Sequence, residues 1–353
     1  MSTDPQAHQD LDAKLAGLHE RLVSSVEALV TGDEWKRALE FAAHFRSRSF
    51  NNTLLIWSQH EAAYRHGLVP EPFPSNVAGF KQWHTLGRHV VAGQKGYMVF
   101  APVNARFATS TPADPSSWRR LNRNERPRPG EIVRPRMVGV RPAYVWDVSQ
   151  TDGTPLPARP TPQLLSSEAP TGLWDGLAAL VRGGGFSLST PEDATALGRA
   201  NGMTDFGSRV VTVRANMDAA ARVKTLAHEL AHIRMHEPTA EALSHRGIGE
   251  VEAESVALMI GAAHGMDTSA YTIPYVSTWA TTVSGKTAVE VVQSTGERVR
   301  RAAVAILDQL PTTHSGAGNP PGLDRSKPAL GLAATAAAVL PVRPAQQLGA
   351  LKL

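Results

Sequence analysis

The chain has 353 residues, of which 42% are hydrophobic, and it carries 36 lysines and arginines against 32 acidic residues. A chain of this length is expected to form two domains, or one domain with tails. It contains no cysteine, which excludes disulfides, thiolate metal sites, iron–sulfur clusters and cysteine nucleophiles and leaves His, Asp and Glu as metal ligands.

The sequence also predicts the compartment. The first residues are polar and include acids, unlike a signal peptide. No run approaches the roughly 20 apolar residues that cross a bilayer. We therefore expect a cytoplasmic protein in a reducing environment, with no membrane partner.

The N-terminal part is predicted to be mostly helical over residues 8–66. Asp33 is expected to open a second helix that runs to about Phe45, and a third begins near Ser49. The first helix carries apolar residues every three or four positions, namely Leu11, Leu15, Leu18, Leu22, Val26 and Leu29. Beyond the three prolines of residues 70–74, strands are predicted at 89–91 and 97–101.

Positive charge is concentrated in the middle of the chain. From Arg106 to Arg141 there are nine arginines and three acids, a larger surplus than that of the whole chain. Residues 106–136 are interpreted as an arginine- and proline-rich insertion, which either contacts phosphates or is only a solvated loop. A strand at 144–146 and a proline-rich linker at 155–170 follow.

The second half is predicted to be helical again, with a strand at 209–214. Proline and glycine positions set the helix ends, which gives helices at 171–183, 218–236, 250–264 and 286–309. Residues 311–353 have little periodicity and are predicted to be a disordered tail. The domain plan is therefore residues 8–154, the linker, residues 171–310 and the tail, in an α+β fold.

The strongest chemical signal is the HExxH sequence from His228 to His232. On a helix, residues four apart share a face, which suits two imidazoles on one zinc ion. Glu229, between them, would act as the general base on a metal-activated water. The alternative is a helix whose histidines are only hydrogen-bonded polar groups.

A catalytic zinc site needs a third protein ligand. His236 continues the spacing but lies about 12 Å along the helix from His228, too far to share one ion. In the helix after it, Glu252 lies within the apolar stripe, whereas Glu250 and Glu254 lie on the far face. A carboxylate among core residues needs a partner, so Glu252 is predicted to be the third ligand, or else a core-edge residue paired with arginine.

This ligand set predicts metal-assisted hydrolysis of an amide. Glu229 would take a proton from water and pass it to the leaving amine. Tyr271, Tyr275 and His264 are candidates for stabilising the oxyanion, and the sequence does not rank them. Two imidazoles and a carboxylate also accept manganese, cobalt or nickel, with Zn²⁺ preferred.

Two stretches resemble a known family. The sequence from His228 to His236, followed by Glu250 to Ala257, resembles the zinc-peptidase domain of ArdC-type antirestriction proteins and their ImmA/IrrE-like relatives. Residues 204–207 and 224–226 are similar as well. This resemblance implies a compact, gluzincin-like zincin over 171–310, with Glu252 matching the third ligand.

Residues 45–101 and 144–153 resemble the N-terminal domain of ArdC-type proteins, which implies single-stranded DNA binding. Aromatic, amide and cationic residues alternate there, a mixture that single-stranded DNA requires, although such aromatics more often belong to a core. The residues carried over as a candidate DNA-binding face are Arg48, Asn52, Trp83, Arg88 and Lys95.

The leading hypothesis is a zinc metallopeptidase coupled to single-stranded DNA binding, with an antirestriction or DNA-maintenance role and a protein substrate that is itself bound to DNA. One alternative is a non-enzymatic protein that coats single-stranded DNA and has a structural metal site. Another is a regulatory protease of the ImmA/IrrE kind that cleaves a repressor.

Overall fold

The computed structural model describes residues 5–157, 168–192, 197–198, 200–236, 246–269 and 271–323. The predicted α+β class is confirmed. The helices are α1 (Pro5–Glu27), α2 (Gly32–His44), α3 (Phe50–Arg65), α4 (Phe80–Thr85), α5 (Leu173–Gly183), α6 (Ala219–Met235), α7 (Arg246–Ala263), α8 (Val276–Ala280) and α9 (Ala288–Leu307). The strands are β1 (Val77–Ala78), β2 (Arg88–Val90), β3 (Tyr97–Thr109), β4 (Arg119–Arg120), β5 (Ile132–Asp147), β6 (Thr151–Gly153), β7 (Ser187–Ser189), β8 (Gly202–Asp205) and β9 (Val210–Val213).

Side-chain caps set the starts of the N-terminal helices. The Thr31 hydroxyl accepts from the Glu34 N–H, and the Glu34 carboxylate accepts from the Thr31 N–H, a reciprocal cap that satisfies two end groups. Helix α2 therefore begins at Gly32, just before the expected Asp33. Ser49 caps α3 as predicted, since its side chain accepts from the Asn52 N–H.

The two halves of the chain share one hydrophobic core. Helices α1 to α3 pack into the same cluster of buried residues as α5, α6, α7 and α9. The indole N–H of Trp35 in α2 donates to the Ser255 hydroxyl of α7 at 3.0 Å. On α9, a Cβ added at Gly296 would lie 2.4 Å from the Phe50 ring of α3. The expected linker 155–170, of which 158–167 lie outside the described residues, thus does not separate two cores.

The strands form three sheets. Strands β1, β5, β3 and β4 lie in that order and are antiparallel, and β2 pairs with β6. The third sheet has the order β7, β9, β8, with β8 antiparallel to β9 at one edge. The two ends of the arginine-rich residues 106–136 pair as the outer half of the β3–β5 hairpin, and the connection between them contains the short strand β4.

Residues 311–323 correct the predicted tail. Arg46 donates to the Gly316 carbonyl at 3.0 Å, and the Val77 N–H donates to the Gly318 carbonyl at 2.9 Å. The His264 Nε2 atom lies 2.8 Å from the Thr312 hydroxyl. These contacts hold residues 312–318 on the folded body despite their low periodicity, so the tail prediction is wrong there. Residues 324–353 lie outside the described part.

The expectation about membranes can be compared with the helices. Among those in the described residues, none combines the length and the apolar character that a bilayer span requires.

Candidate metal centre

Helix α6 places the two histidines of the HExxH sequence side by side. Asp218 caps the helix by accepting from the Ala221 N–H at 2.7 Å. The Nε2 atoms of His228 and His232, one turn apart, lie 3.1 Å from each other. Both rings line a cavity of about 930 Å³ between α6, β8, α7 and α9, so the pair faces open space.

A carboxylate of α7 completes the cluster. Oε2 of Glu250 lies 3.3 Å from Nε2 of His228, and Oε1 lies 3.8 Å from Nε2 of His232. One ligand atom from each of the three residues falls within 4.8 Å of the others. Contacts with the His228 and His232 imidazoles hold the pKa of Glu250 well below its usual range.

Glu252, the predicted third ligand, makes its contacts away from the histidine pair. Its carboxylate is only 4% exposed, and Oε1 accepts from Arg298 of α9. Oε2 lies 3.0 Å from Nε2 of His236. A buried carboxylate needs neutralisation, and the guanidinium supplies it here. The structure thus brings Glu250, not Glu252, to the histidine pair.

The outer nitrogen of His232 is held through His236. Its Nδ1 atom lies 2.9 Å from Nδ1 of His236. Because the Glu252 carboxylate can only accept, His236 carries its proton on Nε2 and accepts at Nδ1 from His232. His232 is then left with a free electron pair on Nε2, on the side of Glu250. His236 is not part of the ligand cluster, but it fixes the tautomer of His232.

The outer nitrogen of His228 has a direct carboxylate partner. Its Nδ1 atom lies 3.3 Å from Oε2 of Glu254, whose other oxygen lies 2.7 Å from the Lys224 ammonium. Burial lowers the pKa of His228, but hydrogen bonds to Glu250 and Glu254 outweigh burial and raise this pKa to about 9. The carboxylates around His228 thus favour a positive charge on its imidazole.

Glu229 lies in the same cavity and is almost fully buried at 5% exposure. Burial raises the pKa of its carboxyl group. The Thr204 hydroxyl of β8 donates to Oε2 at 2.7 Å. The approach of β8 requires Gly202, where a Cβ would lie 2.8 Å from Oε1 of Glu229. Glu229 is thereby fixed beside the two histidines.

The three oxyanion candidates lie away from this cavity. His264 is fully buried and bonds to the Ile260 carbonyl and the Thr312 hydroxyl. The Tyr271 hydroxyl donates to the Ala257 carbonyl at 3.3 Å, and Tyr275 precedes α8 with 61% exposure. Among the described residues that line the cavity, none of the three appears.

Most of the predicted DNA-binding side chains serve the fold instead. Trp83 is fully buried and donates to the Trp146 carbonyl, so it cannot stack on a base. Arg48 donates to the Val77 carbonyl, and Asn52 bonds both backbone groups of Phe100. Arg88 donates to groups of residues 151 and 154. Lys95 alone of these five is exposed.

An exposed aromatic cluster beside Lys95 was missed from the sequence. Phe80 and Tyr144 are 55% and 43% exposed, and their rings lie 6.1 and 6.4 Å from that of Trp146. Trp146 packs on Gly96, where a Cβ would lie 2.7 Å from the indole. The signal was the alternation of residues 144 and 146 along β5, which puts both on one face.

The comparisons with known proteins agree with part of the sequence prediction. Residues 15–135 match the family model described as the N-terminal domain of anti-restriction factor ArdC. Over this segment the chain is similar to the N-terminal domain of ArdC. The predicted resemblance to ArdC is thus confirmed for this segment, which includes most of the arginine-rich residues. The match ends before the HExxH helix, so the ImmA/IrrE-like relationship of the second half stays a prediction.

Other similar proteins extend over more of the chain. An uncharacterized protein of Bacillus anthracis, pXO2-81, is 26% identical over 257 residues, which are 68% of this chain and 42% of that protein. The chain therefore spans less than half the length of this relative. The metal-free crystal structure of the antirestriction ArdC protein from plasmid R388 superposes with a TM-score of 0.47 at 17% identity, covering 83% of this chain and 96% of that one. Its Mn(II)-bound structure gives 0.41 at 18% identity, with coverage of 74% and 88%.

Proposed function

We propose that this protein is a metal-dependent peptidase coupled to single-stranded DNA binding, with an antirestriction role. The observation that carries the hydrolytic part is the convergence of His228, His232 and Glu250 beside the buried Glu229. Two imidazoles and one carboxylate, with an open cavity in front, are the ligand set of a catalytic rather than a closed structural site.

The donor atoms fit a divalent cation. Both histidines have their outer nitrogen bonded to a carboxylate or to a carboxylate-linked histidine, the arrangement that orients metal-ligating imidazoles. Zinc is the preferred ion, and manganese, cobalt and nickel accept the same ligands. Such an ion supplies Lewis acidity, which lowers the pKa of water toward 7 and polarises a carbonyl.

Glu229 supplies the proton chemistry. Its carboxylate takes a proton from the attacking water and delivers it to the nitrogen of the leaving amine as the C–N bond breaks. Burial raises its pKa, which strengthens it as a base, and the Thr204 hydroxyl holds its position. Strand β8, an edge of its sheet, lines the cavity, and its outer edge suits an extended peptide.

The position of Glu229 favours an enzyme over a structural metal site. A structural site needs only its ligands, and burying a further carboxylate beside it costs free energy. Here Glu229 is buried in the wall of a large cavity and bonds to Thr204. This costly placement is explained if the group acts on a substrate.

The single-stranded DNA part of the proposal rests on the N-terminal domain. Phe80, Tyr144 and Trp146 offer ring surface next to the exposed Lys95. Rings for stacking and a cation for phosphate are what single-stranded nucleic acid requires. Replacing Phe80 and Tyr144 by alanine should weaken binding of an oligonucleotide by more than tenfold, since each stacked base is worth about 1–3 kcal/mol.

The deciding experiment compares wild type with Glu229→Gln. Both proteins, loaded with zinc or manganese, are incubated with DNA-binding proteins, with and without single-stranded DNA, and cleavage is followed by mass spectrometry. Wild type should cleave, and Glu229→Gln should hold about one ion per chain but fail to cleave. Glu61→Gln, which changes an exposed carboxylate on α3, is the matched control.

Two results would contradict the proposal. If Glu229→Gln cleaves as fast as wild type, Glu229 is not the base. If DNA protection by Glu229→Gln equals that of wild type and neither protein cleaves anything, the protein only coats DNA.

A further inference from the structure

The outer half of the β3–β5 hairpin carries three exposed arginines, Arg120, Arg134 and Arg136, beside the half-buried rings of Trp118 and Phe107. We call these five residues the ribbon tip. Phe107 pairs with Arg134 on one side and with Arg120 on the other. Residues directly opposite in antiparallel strands share a face. Arg136, two positions from Arg134, lies on that same face.

The opposite face of the hairpin is covered. Arg106 donates to the carbonyl groups of Asn122, Arg123 and Glu125, which folds the loop after β4 against the strand. Arg119 pairs with both Glu125 and Glu131, so it occupies two of the three acids of this region. The remaining arginines are left with almost no local countercharge.

The guanidinium groups of the ribbon tip are held in place. Arg136 lies 4.5 Å from the Trp118 ring centroid and 5.4 Å from that of Phe107, and Arg134 lies 5.5 Å from the Trp118 centroid. Arg120, Arg134 and Arg136 are exposed, and in the described part of the chain none of them pairs with a carboxylate. Fixed cations without countercharge are ready to meet an anionic surface at little entropic cost.

We propose that the ribbon tip docks on duplex DNA, extending the nucleic-acid part of the proposed function. A two-stranded antiparallel ribbon fits the major groove of B-DNA, and arginine is suited to its phosphates and base edges. The tip is unsuited to single strands because Trp118 and Phe107 are half-buried under guanidinium groups, which leaves little ring surface for stacking bases. Stacking surface lies instead at Phe80 and Tyr144, on a separate part of the domain.

The test uses the full chain and a labelled 20-base-pair duplex, with one of its strands as the single-stranded probe. Fluorescence anisotropy is recorded from 50 to 200 mM salt. The test variant combines Arg120→Gln, Arg134→Gln and Arg136→Gln. The matched control combines Arg182→Gln, Arg234→Gln and Arg301→Gln, which removes the same charge from exposed positions on α5, α6 and α9.

The test variant should bind duplex at least tenfold more weakly than wild type at 100 mM salt. Its slope of log affinity against log salt should be shallower by about 2.7, since each phosphate contact contributes about 0.9. Single-strand affinity should change by less than threefold. The proposal is overturned if duplex affinity is unchanged, if the control variant loses as much, or if single-strand affinity falls equally.

A failure of the proposed function gives a different result. If wild type binds no single strand, or if Phe80→Ala with Tyr144→Ala leaves that binding intact, the aromatic surface is wrong whatever the duplex result. If single-strand binding behaves as expected and the test variant still binds duplex like wild type, only the ribbon tip proposal fails.

Discussion

His232 and His236 lie one helical turn apart on α6, with their Nδ1 atoms 2.9 Å from each other. The contact begins a chain that continues from His236 to Glu252 and ends at Arg298 of α9. Each member orients the one before it, because the carboxylate only accepts and the guanidinium only donates. The α9 arginine therefore influences the orientation of His232, a proposed ligand, through two intermediate side chains.

Removing His236 should weaken metal binding without removing a ligand. Loss of such an orienting partner typically lowers metal affinity 10- to 100-fold, so we expect His236→Ala to fall in that range. The measurement is competition for Zn²⁺ against a chromophoric chelator. His66→Ala, at an exposed position after α3, is the control. Equal affinities of His236→Ala and wild type would show that the chain does not orient His232.

Glu250 and Glu252 should respond differently to the same substitution. Glu250→Gln removes a proposed ligand at an exposed position, so zinc affinity should fall by more than about 100-fold, beyond the usual effect of an orienting residue, with little change in stability. Glu252→Gln weakens the pairing of this buried carboxylate with the half-exposed Arg298, so it should lower the free energy of unfolding by about 2 kcal/mol. Zinc competition and urea unfolding of both variants separate the two roles. The opposite pattern would restore Glu252 as the ligand.

Thr204 should affect turnover more than substrate binding. Thr204→Val removes the hydroxyl that donates to Glu229 at 2.7 Å and keeps the shape of the side chain. We expect kcat to fall about tenfold, part of the 10²–10⁴-fold that a positioned base supplies, while KM stays within about twofold. Thr204→Ser, which keeps the hydroxyl, should recover most of the loss. A change confined to KM would assign Thr204 to the binding of the peptide.

The HExxH helix and its neighbours could be predicted from the sequence, but the partners of its charged residues could not. The helical pattern correctly placed Glu252 on the buried side of α7. It could not reveal that Arg298, 46 positions later, neutralises this carboxylate. The burial of Glu252 was therefore predicted correctly, whereas judging whether it could bind a metal required knowledge of the packing of α9.

The residues predicted to bind DNA illustrate the same difficulty. Trp83 and Phe80 both belong to the short helix α4, and their sequence context is alike. One is fully buried and the other is 55% exposed. Aromatic composition predicted a stacking surface, but only the tertiary structure shows which rings are exposed.

The shared core of the two halves can be tested at Gly296. A Cβ at this position of α9 would lie 2.4 Å from the Phe50 ring of α3, and overpacking a core typically costs about 1–3 kcal/mol. Gly296→Ala should therefore lower the urea midpoint while unfolding remains a single transition by fluorescence and circular dichroism. Gly183→Ala, where nothing lies within 4 Å of the added atom, is the control. Two separate transitions in wild type would argue for independent domains.

Acid should destabilise the protein through His264. Burial lowers the pKa of this imidazole to about 4, and its Nδ1 and Nε2 atoms are engaged by the Ile260 carbonyl and the Thr312 hydroxyl. The neighbouring His314 ring, 5.7 Å away, and the Arg46 guanidinium add repulsion against a second charge.

The folded chain therefore favours the neutral imidazole, whereas the unfolded chain protonates it near pH 6.5. Its stabilising effect is complete above pH 6.5 and is lost as the pH falls toward 4, which amounts to about 3 kcal/mol. His264→Gln stays neutral and can keep both hydrogen bonds, so its free energy of unfolding should fall less steeply over this interval. Urea unfolding at half-unit steps from pH 7 to 4 measures the difference, and parallel curves for the two proteins would show that His264 does not couple folding to protonation.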